Sequence, residues 1–215
     1  MASEIWAQQV GVSVGSRTIL EAVDLRVMSG EMVVITGPSG SGKTTLLLVM
    51  AGLQDPDRGQ VLLDGAPIST RDDTRRRFGV VLQNHGLVWV LTAAENVAIA
   101  LQARGLNRSE VAERTHQLLV GLGLADSANR LVRDLSGGQR QRVGVARALV
   151  AEPEVLLADE PTSELDAERR ALVLNLLRNH ASKGNIVIVA SHDQVVANAA
   201  GRALALVDGR PYSAP

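Results

Sequence analysis

Eight consecutive residues restrict this chain more than any other feature. Gly37-Pro38-Ser39-Gly40-Ser41-Gly42-Lys43-Thr44 fits the pattern G-x-x-x-x-G-K-[ST]. Glycines at those spacings let the backbone curl until several N–H groups converge on one point. A helix starting near Lys43 adds the positive end of its dipole, so the stretch reads as a cradle for phosphate groups. In such a cradle Lys43 bridges the β- and γ-phosphates of a nucleotide and the Thr44 hydroxyl ligates Mg²⁺. Thr45 completes the nucleotide-binding set. The pattern has meaning only between a strand and a helix, and the sequence offers both. Met32-Val33-Val34-Ile35 is an unbroken apolar run of the kind found in strands buried on both faces, and a leucine-rich helix follows from Thr44 to Ala51.

Other segments extend an alternating pattern. Val10 to Val27 reads as short strands turning at Gly15-Ser16. Val61-Leu62-Leu63-Asp64-Gly65 reads as a strand entering a tight hairpin. Strands are expected at Phe78–Leu82, Val155–Ala158 and Ile186–Ala190. From Asn84 to Leu149 the texture is helical, with Asn107 and Glu110 spaced as a capping box ahead of Val111–Leu122 and a second helix beginning near Gly138. Ala167 to His180 reads as a helix with Leu172, Leu176 and Leu177 facing inward. The whole implies one α/β domain over residues 1–215, with residues 84–149 as a helical insertion.

A second acidic site closes the Val155–Ala158 strand. Asp159 and Glu160 stand at its C-terminal end, where ligands bind in open α/β sheets. Asp159 is placed to hold Mg²⁺ and Glu160 to act as general base on the attacking water. A third site is Leu135-Ser136-Gly137-Gly138-Gln139, where a serine and two glycines open a helix and make another anion site. One chain thus has two phosphate-binding helix starts and one Lys-Thr pair. The economical explanation is that Ser136 and Gly138 grip a nucleotide held by another copy, in a two-fold dimer with ATP between the subunits.

Bulk properties narrow the class. A net charge of −1 over 215 residues argues against a nucleic-acid partner. The absence of cysteine removes disulfides and thiolate metal sites. No apolar run approaches the roughly 18 residues of a membrane span, and the N-terminus lacks a signal-peptide layout, so a cytoplasmic protein is expected.

The set Gly37–Thr44, Gln83, Leu135–Gln139, Val155–Glu160, Ser163–Asp166 and His192 occurs in the order found in the ATP-binding subunits of ABC transporters, and the chain resembles that family over nearly its whole length. The resemblance implies a P-loop NTPase core with a mainly parallel sheet, an N-terminal antiparallel β subdomain and an inserted helical subdomain. It implies that Gln83 senses Mg²⁺ and the attacking water, that Gln139 belongs to the nucleotide-gripping string, that Asp166 lies in a loop crossing the dimer interface, and that His192 contacts the γ-phosphate. It also implies a second ATP-binding subunit and an integral membrane permease as partners, with the chain held at the inner face of the membrane through the permease. The segment Leu91–Val97 and the compact length look like the subfamily serving lipoprotein release, macrolide export and cell division. A GTPase or kinase would lack Leu135–Gln139.

Four features depart from the family or bear on its partner. Val14 stands where an adenine-stacking aromatic is usual, which predicts weaker or less base-selective nucleotide binding, and Trp6 is expected in a core or edge position. Glu164 stands where a small residue is usual and is expected to face solvent or, as the alternative, to be neutralised by an arginine across the dimer. Leu87-Val88-Trp89-Val90-Leu91 is expected in the groove that receives a permease helix or in ordinary packing, and Arg75-Arg76-Arg77 on a solvated face.

Overall fold

The computed structural model describes residues 3–68, 76–102 and 104–212. Two sheets organise it. The first is antiparallel, in the order β2-β1-β4-β5, from β1 (Glu4–Val14), β2 (Arg17–Met28), β4 (Arg58–Leu63) and β5 (Ala66–Pro67). The second runs β10-β9-β3-β8-β7-β6, from β3 (Met32–Thr36), β6 (Phe78–Val81), β7 (Val155–Asp159), β8 (Ile186–Ala190), β9 (Arg202–Val207) and β10 (Arg210–Tyr212). Its β9-β3-β8-β7-β6 portion is parallel, and β10 returns antiparallel on β9.

The central strands are apolar up to the C-terminal residues Thr36 of β3 and Asp159 of β7, because both faces are covered. Val34, Leu156, Ala158, Val187 and Val189 join the core beneath the helical elements. Their neighbours Val33, Ile35, Val155, Leu157, Ile186 and Ile188 join the core shared by α1 (Lys43–Met50) and the antiparallel sheet. The two-residue period of the strands thus divides one apolar run between two cores.

The helical insertion contains α2 (Ala93–Gln102), α3 (Arg108–Gly121) and α4 (Gly137–Leu149). The capping box of α3 forms as expected, with Asn107 Oδ1 accepting from the Glu110 amide at 3.0 Å. A second box, in which Thr92 and Glu95 bond reciprocally, starts α2 and was not anticipated. Two more helices, α5 (Ala167–Ser182) and α6 (Gln194–Ala199), flank β8.

Several boundaries differ from the sequence reading. β1 and β2 are 11 and 12 residues long rather than short, because register shifts absorb their irregularities, with Gln9 and Ala22 at positive φ. On α5 the buried residues are Val173, Leu174, Leu177, His180 and Ala181, and Leu172 and Leu176 are half-buried at the margins of that stripe. The Asp64-Gly65 hairpin has both residues at positive φ, 54° and 79°, as its turn requires. Arg75 lies outside the described residues. Arg77 is not a free surface charge, since it pairs with both Asp64 and Glu154.

Candidate nucleotide site

β3, β7 and β8 are parallel and adjacent, so their C-terminal ends bring three separate loops to one edge. The first is Gly37–Gly42. Gly37, Gly40 and Gly42 have φ of 145°, 81° and 100°. A Cβ at Gly37 would fall 2.1 Å from the Leu206 carbonyl oxygen, and one at Gly42 2.8 Å from that of Ile19, so these positions exclude side chains. Lys43 turns back over the loop and donates to the carbonyls of Gly37 (2.8 Å) and Pro38 (2.9 Å). α1 starts with no side-chain cap, which leaves its first amides free for an anion. The loop therefore fits a chain of phosphates.

The second loop follows β7. Thr44 Oγ1 donates to Asp159 Oδ2 at 2.7 Å. Burial, reinforced by the charge of Glu160, pushes the Asp159 carboxyl up, while the hydrogen bond from Thr44 and the charge of Lys43 oppose that shift. Among the described residues no group of three or more His, Cys, Asp or Glu forms a metal cage. One hydroxyl and one carboxylate suit Mg²⁺, which commonly takes few protein oxygens and completes its shell with phosphate and water. Gln83, two residues past Val81, is exposed at the same edge, since Val81 pairs with Ala158.

Glu160 is the one site residue with a strained backbone: its φ is 47°, and non-glycine residues hold such geometry only when their surroundings enforce it. Here its amide donates to Ala190 O (2.9 Å), and its carboxylate receives Ser191 Oγ (3.0 Å) and the His192 amide (3.1 Å). The His192 ring lies against the same carboxylate, with Nδ1 2.6 Å from Oε1. The histidine expected at a γ-phosphate thus rests on the general-base candidate, with its ring otherwise exposed.

Ser136 opens α4 in a capping box: its Oγ accepts from the Gln139 amide (3.3 Å), and Gln139 Oε1 accepts from the Ser136 amide (2.9 Å). Gln139 also donates to Ser127 Oγ at 3.0 Å, so its side chain braces the helical insertion. Asp166 caps α5 by accepting from the Arg169 amide (2.8 Å). No hydrogen bond or ion pair among the described residues links Ser136–Gln139 with Lys43–Thr45.

Glu164 is exposed, as expected, yet its carboxylate has a neighbour. It turns back on its own chain, with Oε1 3.5 Å from His85 Nε2. Gln141, which the sequence reading passed over, is 2 % exposed and holds the same loop: it donates to Glu160 O (2.7 Å) and Ser163 Oγ (3.0 Å) and accepts from the Glu164 amide (2.9 Å). A polar residue deep inside a helical stretch was its one visible signal.

Arg17 and Ile19 join Gly40 and Gly42–Thr45 around an open cleft of about 260 Å³. No aromatic lines it. Trp6 lies under the Arg26 guanidinium at 5.3 Å, and Trp89 under that of Arg140 at 5.5 Å. Val14 is 67 % exposed. A concavity of about 780 Å³ sits on the irregular β1–β2 surface and contains none of the expected site residues. Val88, Trp89 and Val90 are all exposed, and the buried Asn96 fixes their loop through the Val88 amide (2.8 Å) and carbonyl (3.0 Å).

A fold of this topology, with a glycine cradle, a strand-end carboxylate pair and a serine-glycine helix start, defines an ATP-binding cassette. The family model described as ABC transporter matches residues 20–163, and the chain belongs to that family. It is 41 % identical over 209 residues to a methionine import ATP-binding protein, MetN 2, of Salmonella choleraesuis (strain SC-B67), covering 93 % of this chain and 62 % of that protein. The chain therefore spans under two thirds of the methionine-import proteins it matches. It is 39 % identical over 204 residues to the lipoprotein-releasing system ATP-binding protein LolD of Bacteroides thetaiotaomicron, covering 92 % and 94 % of the two chains. Its structure superposes with a TM-score of 0.90 on a dimeric post-hydrolysis state of the ATP-binding cassette MJ0796 bound to ADP and Pi, at 34 % identity over 97 % of each chain.

Proposed function

We propose that the chain binds ATP with Mg²⁺, closes as a dimer around two nucleotides, hydrolyses them, and so drives a separately encoded membrane permease from its cytoplasmic face. The single observation that carries this reading is Glu160, held in left-handed backbone beside the Thr44–Asp159 pair and the glycine cradle. In this reading the Gly37–Thr44 amides and Lys43 bind the phosphates of one nucleotide, and Ser136 with the first amides of α4 closes on it from a second copy. Thr44, Asp159 and Gln83 would hold Mg²⁺, whose charge offsets that developing on the transferred phosphoryl group. Glu160 then orients water and accepts its proton, with Ser191 and the His192 amide fixing the carboxylate.

No helix among the described residues is long and apolar enough to cross a membrane. The exposed Val88–Val90 patch supports a permease contact there, as contiguous apolar surface marks interaction sites. The relatives named for import and for lipoprotein release match about equally, and the reading stops at coupling without assigning cargo. Single-turnover hydrolysis tests it: the Glu160→Gln chain should bind MgATP and release phosphate about 10²-fold or more slowly. Unchanged turnover would remove Glu160 from the mechanism.

A further inference from the structure

Glu164 places a carboxylate over a helix start that would otherwise be open to an anion. A Cβ built on Gly137 would lie 1.8 Å from Glu164 Oε2 and 3.0 Å from Cδ, so the carboxylate fills the space above the first residue of α4. Two cationic or titratable side chains face it. His85 Nε2 is 3.5 Å from Oε1, and Arg140 Nη2 is 3.9 Å from the same built Cβ. Arg140 is itself drawn away, donating to Leu135 O at 2.7 Å and lying over Trp89.

The backbone of Glu164 packs against the same helix start and is tied to it. Its amide is held by Gln141 at 2.9 Å, and its carbonyl oxygen would lie 2.8 Å from a Cβ on Gly138. The side chain is 47 % exposed and is the part able to move. Both glycines of the Ser136–Gln139 string thus admit the Glu164 loop, and a phosphate approaching Ser136 meets a like charge.

Building on the sandwich reading above, we propose that Glu164 is an autoinhibitory anion: it covers the α4 start in the open chain and must swing away before a nucleotide carried by a second copy can seat there. It thereby sets the threshold for ATP-driven closure. In the open chain the α4 dipole holds the carboxylate in place beside His85, and the incoming γ-phosphate competes with it for the helix start.

The test uses the full chain carrying Glu160→Gln, with dimer formation followed by sedimentation velocity as MgATP is titrated. Adding Glu164→Ala or Glu164→Gln should tighten dimerisation about tenfold at low salt, and the gain should shrink near roughly 0.5 M NaCl, because exposed like charges are screened. If the parent chain dimerises and neither substitution tightens it, or either loosens it, the gate is wrong and Glu164 is neutral or bridges the interface. A gain with alanine alone would overturn the charge argument. If the chain stays monomeric at saturating MgATP with and without the Glu164 substitutions, the sandwich itself fails, and the gate with it.

Discussion

The 2.7 Å hydrogen bond from Thr44 Oγ1 to Asp159 Oδ2 joins the first turn of α1 to the last residue of β7. It brings together residues 115 positions apart and puts a hydroxyl and a carboxylate beside the glycine cradle proposed to hold phosphate. Asp159 is 5 % exposed, so its charge is poorly solvated, and Glu160 adjacent to it adds repulsion. A divalent cation would relieve both costs.

Asp159→Asn should therefore abolish the benefit of Mg²⁺ while leaving the phosphate cradle intact. Hydrolysis should fall about 10²-fold or more, in line with the loss of one charge-stabilising group. The thermal midpoint should rise with ATP plus Mg²⁺ in the native chain and no further than with ATP alone in the variant. An equal Mg²⁺-dependent rise in both would place the metal elsewhere.

Val14 offers no π-face, and all four aromatics of the chain lie outside the cleft of Arg17, Ile19 and the glycine loop. Restoring an aromatic by Val14→Tyr should strengthen ATP binding by about 1–3 kcal/mol, the range for one base stacked on an aromatic ring. Calorimetry with ATP and with inorganic triphosphate separates the base from the phosphates. A gain should appear with ATP only, and no gain with ATP would mean that the base lies away from the end of β1.

Most of the parallel sheet was legible because its strands are buried on both faces: Val155–Ala158 and Ile186–Ala190 are unbroken apolar runs with no competing period. The cradle was legible for a different reason, since Gly37 and Gly42 occupy backbone where a side chain cannot fit. Long-range side-chain pairing left no local trace. The Gln141 clamp on the 160–164 loop and the approach of Glu164 to His85 link positions far apart in sequence, and no periodicity encodes them. The length of β1 and β2 was missed because their register shifts break the apolar–polar alternation that marks a strand.

His180 gives a prediction about pH. Its ring is 7 % exposed on α5, with Nε2 2.8 Å from the Pro153 carbonyl. Burial pushes its pKa down, so it stays neutral in the fold and donates from Nε2. In the unfolded chain it takes up a proton below about pH 6.5. Stability should be full above that pH and fall as acid is added, with this residue contributing a slope of at most about 1.4 kcal/mol per pH unit. Urea unfolding of His180→Gln at pH 5.5 and 7.5 should show a smaller difference than the native chain. An unchanged difference would assign the acid sensitivity to other groups.

Gln141 should separate catalysis from binding. It lies on α4, behind Ser136, yet its amide holds the Glu160 carbonyl, Ser163 and the Glu164 amide. Whatever moves α4 therefore moves the backbone that carries the general base. Gln141→Met keeps the length and apolar bulk of the side chain but removes all three hydrogen bonds, and only the Glu160 carbonyl keeps other donors, from Ser163; the cost is roughly 1 kcal/mol. The phosphate cradle lies on α1 and does not touch Gln141, so ATP affinity should be unchanged while kcat falls about tenfold, the penalty expected when a reacting group loses its alignment. A variant that lost affinity and turnover together would point to general destabilisation. One that lost neither would show that Glu160 is fixed well enough by Ser191 and His192 alone.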